Sequence, residues 1–141
     1  MKLIEITTSA STVLYHTTKL RYAQPILKSN TLLATSQSNG SRAVSLTRSK
    51  TYVRVYLERV NYVRFGLDKQ LLGNTYKISP YSENENSKDG QFEEHVLGNI
   101  HPLSKYLLSV DVVLNEQIQE NELDSYESLK LYQEPIEIGL R

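Results

Sequence analysis

The chain contains no cysteine and no tryptophan among its 141 residues. The absence of cysteine excludes disulfides, thiolate zinc sites, iron–sulfur clusters and cysteine nucleophiles. A metal site would have to use carboxylates and the three histidines, and these show neither an HExxH motif nor another regular ligand spacing. We therefore expect no bound metal.

Long hydrophobic runs are also missing. No stretch of about 18 apolar residues exists, so the sequence predicts no membrane-spanning helix and no membrane partner. Residues 1–5 are too short and too quickly charged for a signal peptide, which favours a cytoplasmic protein. A length of 141 residues suits one domain, and folding would bury roughly two thirds of the extended surface. A core of that size needs no disulfide or metal to hold it.

The 16 basic and 16 acidic side chains balance overall but are distributed unevenly. Residues 19–69 contain ten bases and two acids, a balance of +8, whereas residues 70–141 contain five bases and thirteen acids, a balance of −8. Clustered cations concentrate anions, so the basic segment favours a ligand or partner that carries phosphate. Alternatively, the two halves face each other across one fold.

Short β-branched and aromatic stretches predict strands separated by few helices. The predicted strands are residues 2–6, 11–17, 31–34, 43–47, 62–67, 76–78, 92–97 and 107–114, and the predicted helices are 19–29 and 69–72. Pro25 should kink the first helix or make it begin near Gln24, and Asn30 should end it. The pattern of residues 52–60 fits either a helix or a strand.

This arrangement indicates an α+β fold of small, split, mainly antiparallel sheets with a few short helices. Residues 1–114 would form the domain, and residues 115–141 an acidic helical tail with a strand near its end. The polar residues 81–90 cannot bury apolar surface and predict a mobile loop.

A first candidate cluster lies where a predicted strand meets a predicted helix. The segment Leu14-Tyr15-His16-Thr17-Thr18 combines a histidine with two hydroxyls. Such a junction exposes donors beside a helix N-terminus, which suits an anion or a ribose. A capping threonine beside a surface histidine would explain the same residues without a ligand.

A second cluster, residues 44–52, combines hydroxyls, two cations and a tyrosine. Arg48 offers a bidentate donor pair to a diphosphate, Ser45 or Thr47 offers a hydroxyl, and Tyr52 offers a face for stacking. An ordinary strand end could have the same composition.

A third cluster places adjacent carboxylates in a strand. Alternation sends Phe92, Glu94 and Val96 to one face, and Glu93 and His95 to the other. A carboxylate on an apolar face is costly unless it is paired or used. Glu94 is therefore the better catalytic candidate, with an ion pair to a basic residue as the alternative, and the sequence leaves open whether Glu93 or Glu94 faces the cleft.

In chain order, these clusters resemble the ADP-ribosyltransferase superfamily, in which a first strand carries His or Arg, a second motif Ser, Thr or Tyr, and a later strand Glu. Leu14-Tyr15-His16-Thr17-Thr18 is similar to the first motif, residues 44–52 to the second, and Phe92-Glu93-Glu94-His95-Val96 to the glutamate strand. The resemblance covers roughly residues 13–113. The same order of segments also looks like small proteins of large tailed bacteriophages.

The resemblance implies an NAD-binding cleft between two small sheets and transfer of ADP-ribose, which is a glycosyl transfer. His16 and Thr17 would hold the ribose or nicotinamide, with His16 also in a catalytic role. Ser45 and Thr47 would line the cleft, Arg48 would bind the diphosphate, and Tyr52 would stack on nicotinamide. The Glu94 carboxylate would stay ionised to stabilise the positive charge that develops as nicotinamide leaves.

Two positions depart from the superfamily pattern and favour altered substrate choice or lost catalysis. Thr17 stands where a glycine would let the nicotinamide amide approach the backbone. Phe92 stands two residues before Glu94, where arginine- and nucleic-acid-modifying members carry Glu or Gln.

The function that the resemblance implies is that of an NAD-dependent ADP-ribosyltransferase, phage-encoded, that acts on a host protein or nucleic acid. The alternative is a non-catalytic module that binds a nucleotide, a nucleic acid or a protein, such as an inhibitor of a host or defence component. The +8 segment interleaves basic residues with aromatic ones, as nucleic-acid-binding surfaces do. The acidic tail, residues 115–141, could instead mimic a nucleic acid.

Overall fold

The computed structural model describes residues 12–37, 40–54, 57–80, 93–114 and 137–140. Within these ranges the strands are β1 (Val13–Lys19), β2 (Thr35–Ser36), β3 (Arg42–Thr47), β4 (Tyr62–Asp68), β5 (Ile78–Pro80), β6 (Glu93–Leu97), β7 (Leu107–Leu114) and β8 (Glu137–Leu140). The helices of the same ranges are α1 (Ala23–Ser29), α2 (Lys69–Thr75) and α3 (Leu103–Tyr106), and a 3-10 turn at Leu20–Tyr22 precedes α1. No helix in the described part of the chain is long and apolar enough to cross a membrane.

The strands form one sheet in the order β5-β6-β3-β1-β4-β7-β8, and β2 pairs with β3. Every pairing is antiparallel except that of β8, which lies parallel to β7. The prediction of an α+β fold with mainly antiparallel strands is confirmed. The predicted strand at residues 2–6, the loop at 81–90 and the helix within 115–134 lie outside the described residues.

Helix α1 begins at Ala23, one residue before Gln24, and contains Pro25 in its first turn. Proline is tolerated there because the first N–H groups of a helix have no partner within it. Asn30 ends the helix with φ = 56°, in the left-handed region, as predicted. Helix α2 is capped by Asp68, whose carboxylate accepts a hydrogen bond of 3.1 Å from the backbone N–H of Leu71.

The two faces of the sheet are covered differently. The larger core lies on the face that packs against the helices, and its largest fully buried side chains include Leu14, Leu20, Leu46, Phe65, Leu67, Leu72, Leu103 and Tyr106. A smaller cluster centres on Leu57, Tyr62 and Val113.

Residues 52–60 were expected to form a helix or a strand, but their described part forms turns, with the Leu57 N–H donating to the Arg54 carbonyl at 2.9 Å.

Candidate functional site

A cavity of about 650 Å³ lies where β1 and β3 separate. Among the described residues, these strands share a single residue pair, Tyr15 with Thr47. Beyond this pair, side chains of both strands line the cavity, and α1 and residues 31–37 form its other walls. The volume falls within the usual range of small-molecule sites.

His16 of β1 bridges the separated strands. Its Nδ1 lies 3.0 Å from the carbonyl oxygen of Ser45, and because a carbonyl only accepts, Nδ1 carries the proton. Burial lowers the pKa of His16 below its usual 6.5, and the charge of Arg54 lowers it further, while the hydrogen bond to the Ser45 carbonyl opposes both effects. At pH 7 the ring is therefore neutral, and Nε2 is an acceptor suited to a ligand hydroxyl.

Glu93 of β6 lines the same cavity. Its Oε2 accepts hydrogen bonds from the Ser45 hydroxyl and from His95 Nε2, the latter at 2.8 Å, and the Arg54 guanidinium lies 3.6 Å away. Arg54 also donates to the Ser45 hydroxyl at 2.9 Å. Side chains from β3, from β6 and from the segment that carries Arg54 therefore all contact one carboxylate oxygen at the cavity wall.

The strand register explains why these side chains meet. Thr47 of β3 lies opposite Glu93, and Ser45 lies opposite His95, so all four side chains share one face of the sheet. Val44 and Leu46 alternate with them and belong to the larger core. The polar face of β3 therefore pairs with the face of β6 that carries Glu93.

Glu94 projects to the opposite face. Its carboxylate is buried, with 6% of the residue exposed, and its Oε2 lies 3.1 Å from Arg48 Nε and 3.3 Å from Lys69 Nζ. Glu94 and Arg48 were both expected in the site, but they form an ion pair with each other, which was the alternative for Glu94, and neither lines the cavity. The cause is the position of Lys69, which opens α2, and of Arg48, which follows β3. Both bring a cation to the helix-covered face.

The other residues expected in the site meet in this cavity. Its lining includes His16, Thr17, Ser45, Thr47 and Tyr52. The Thr47 hydroxyl accepts a hydrogen bond of 3.0 Å from the Ser49 backbone N–H, so it also shapes the turn after β3.

The sequence left the choice between Glu93 and Glu94 open and gave no indication of Arg54. The alternation of hydroxyl and apolar residues along β3 was a signal for Glu93, because it marks which face of the neighbouring strand is polar. The irregular segment that carries Arg54 gave no comparable signal.

Apolar side chains line part of the cavity, contributed by Tyr22, Pro25, Ile26, Leu32 and Leu33. Tyr22 is 46% exposed and Leu33 is 68% exposed, so both reach solvent as well as the cavity. The site thus combines an apolar wall with a carboxylate, a histidine and a guanidinium. Among the residues that the structure describes, no three histidine or carboxylate side chains are grouped as a metal site requires.

Comparison with known proteins identifies the fold. No protein-family model matches the chain, and no curated protein matches its sequence. The structure is similar to that of DarT from Thermus sp. 2.9 in complex with NAD+, with a TM-score of 0.57 and 12% sequence identity. The match covers 92% of this chain and 95% of the DarT chain. The chain therefore has an ADP-ribosyltransferase-like fold, as the motif order implied.

Proposed function

We propose that this chain is an NAD-dependent ADP-ribosyltransferase and that NAD binds in the cavity between β1 and β3. The observation that carries the proposal is the Glu93 carboxylate, held at the cavity wall by Ser45, His95 and Arg54. His16 lines the same cavity from β1. The fold shared with an NAD+-bound protein supports NAD as the substrate.

The transfer would proceed by cleavage of the glycosidic bond between nicotinamide and ribose. The bonding electron pair leaves with nicotinamide, and positive charge develops at the anomeric carbon. The Glu93 carboxylate stabilises that charge, and electrostatic stabilisation of this kind is usually the largest single contribution to catalysis. A nucleophile of the acceptor then bonds to the anomeric carbon and loses its proton.

The remaining cavity residues would hold the dinucleotide. Neutral His16 accepts a hydrogen bond from a ribose hydroxyl through Nε2, and Tyr52 stacks on nicotinamide. Arg54 takes the role expected of Arg48, since Arg54 lines the cavity while Arg48 is paired with Glu94. The apolar wall that includes Tyr22 and Leu33 provides a surface for the adenine ring.

Assigning catalysis to Glu93 also changes the comparison with the superfamily motif. Gln91 stands two residues before Glu93, so Gln91-Phe92-Glu93 has the Gln-x-Glu spacing that is missing relative to Glu94. By resemblance, this spacing favours an arginine side chain or a nucleic acid as acceptor. We propose that the acceptor is a protein or nucleic acid of a bacterial host and that the reaction takes place in the host cytoplasm.

The test compares two adjacent glutamates as a matched pair. Wild type, Glu93→Gln and Glu94→Gln are incubated with labelled NAD and a bacterial lysate, and the product is digested with nuclease or protease to identify the acceptor class. We expect label transfer by wild type and Glu94→Gln, and a loss of at least 100-fold in Glu93→Gln. Equal transfer by Glu93→Gln would remove Glu93 from the mechanism.

A second candidate is a nucleotide-binding module without catalysis, favoured by Thr17 at the position where the superfamily has glycine. Calorimetric titration with NAD distinguishes the two functions. Saturable NAD binding without nicotinamide release or label transfer would support the module and contradict the transferase.

A further inference from the structure

His95 is a buried polar side chain that contacts the Glu93 carboxylate and has no step of its own in the proposed reaction. It lies on β6 two residues after Glu93 and is 3% exposed. Its Nε2 lies 2.8 Å from Glu93 Oε2, and since a carboxylate only accepts, Nε2 carries the proton of this hydrogen bond. His95 is absent from the described lining of the cavity, and its hydrogen bond to Glu93 connects it to a residue that does line the cavity.

Ser45, Arg54 and His95 contact Glu93 Oε2, and they differ in their position relative to the cavity. Ser45 and Arg54 both line the cavity, and Arg54 keeps 39% of its side chain exposed. A bound dinucleotide offers phosphate and hydroxyl groups to which these two donors can turn. His95 is enclosed by protein and faces Glu93 from outside the cavity lining, so the ligand does not compete for its Nε2.

We infer that His95 is a positioning residue that fixes the Glu93 carboxylate when ligand engages Ser45 and Arg54. This inference rests on the proposed function, because it assigns a role within the same reaction. A carboxylate with one donor fixed behind it keeps its orientation about the terminal side-chain bond. Without that donor the carboxylate can rotate away from the anomeric carbon, and a misplacement of about 1 Å can cost roughly 100-fold in rate.

The test uses two polar substitutions of different reach. In His95→Gln the amide nitrogen occupies about the place of Nε2 and can donate to Glu93, whereas in His95→Asn the shorter amide cannot reach it. We expect kcat for nicotinamide release to fall about 10- to 100-fold in His95→Asn and less than about 5-fold in His95→Gln, with KM for NAD within about 3-fold of wild type in both. A change confined to KM, or equal loss in both variants, would overturn the inference.

A double-mutant cycle separates positioning from a purely structural effect. If His95 acts through Glu93, His95→Asn has no further effect on the residual rate of Glu93→Gln. Additive losses would show that His95 acts independently and would overturn the inference. A wild-type protein without nicotinamide release or transfer would refute the proposed function and this role together, whereas active wild type with unimpaired His95→Asn refutes this role alone. Circular dichroism and urea unfolding show whether each variant is folded under assay conditions.

Discussion

Glu93 and Glu94 are consecutive residues of β6 whose carboxylates lie on opposite faces of the sheet. Glu93 meets Ser45, His95 and Arg54 at the cavity, whereas Glu94 is neutralised by cations on the helix-covered face. The side-chain period of a strand makes this separation unavoidable. Glu93 therefore lines the cavity and Glu94 does not, so substitutions at the two positions should affect different properties.

Glu94→Gln should lower the free energy of unfolding by about 1–3 kcal/mol. The carboxylate is buried between Arg48 and Lys69, and the neutral amide removes the negative charge that both cations contact. Arg48→Gln is the control and should cost less than about 1 kcal/mol, because the Arg48 side chain is 46% exposed and Lys69 still pairs with Glu94. Urea unfolding monitored by circular dichroism measures both changes. A Glu94→Gln variant as stable as wild type would contradict the prediction.

Arg54→Gln should weaken NAD binding about tenfold, while Arg48→Gln leaves it within about twofold. The expected loss corresponds to about 1.4 kcal/mol, below the usual value for a charge-assisted hydrogen bond because Arg54 is 39% exposed. Arg54 lines the cavity, whereas Arg48 is paired with Glu94. Isothermal titration with NAD gives the two dissociation constants. Equal weakening by both substitutions would show that general charge, rather than cavity contact, determines affinity.

The secondary structure near the site could be predicted from local sequence patterns. β1, β3, β4 and β7 are rich in β-branched and aromatic residues, and Asn30 ended α1 because asparagine tolerates a left-handed conformation. Residues 52–60 could not be assigned because Leu57 packs against Tyr62 and Val113, and this long-range contact holds the segment in turns. The alternation of apolar and basic residues around Val53 does not predict that contact.

Choosing between the two glutamates required tertiary information. Alternation correctly placed Glu93 and Glu94 on opposite faces, and Glu94 forms the ion pair that was the alternative to catalysis, with Arg48 and with Lys69. Lys69 is 25 residues away in the chain and reaches Glu94 because α2 packs on that face. The strand order, which places β6 beside β3, is likewise a property of the whole fold. β1 and β3 separate and so open the cavity, and no sequence pattern within either strand predicts this separation.

The stability of the protein should fall as pH decreases from 7 to 5, in part because of His16. Burial lowers the pKa of His16 in the folded state below its unfolded value of 6.5, so the unfolded chain binds the proton more readily. The stabilising contribution is therefore present above pH 6.5 and is lost as pH falls toward the folded pKa. His16→Asn should show a shallower pH dependence in urea unfolding at pH 7.5, 6.5 and 5.5. A histidine ring resonance of His16 that titrates above 6.5 would contradict this account.

Gly66→Ala should destabilise the strand that lies beneath the Tyr15 ring. A methyl group at Gly66 would overlap the Ser109 hydroxyl and would lie 3.4 Å from Tyr15 Cε1, so at least the serine must rotate. We expect the free energy of unfolding to fall by about 1–2 kcal/mol. Ser109→Ala removes the overlapping oxygen and should by itself change stability by less than about 0.5 kcal/mol.

The double variant of Gly66 and Ser109 tests the cause of that loss. If the Ser109 oxygen is the main obstacle, Gly66→Ala combined with Ser109→Ala should recover at least half of the stability lost in Gly66→Ala, a non-additive result. If the losses of stability in the two single variants simply add up in the double variant, the methyl group is opposed mainly by the Tyr15 ring, which lines the cavity. In that case the same substitution should also weaken NAD binding, because Tyr15 would have to shift toward the ligand. Urea unfolding and calorimetric titration of the three variants therefore distinguish a local steric effect in β7 from one transmitted to the cavity.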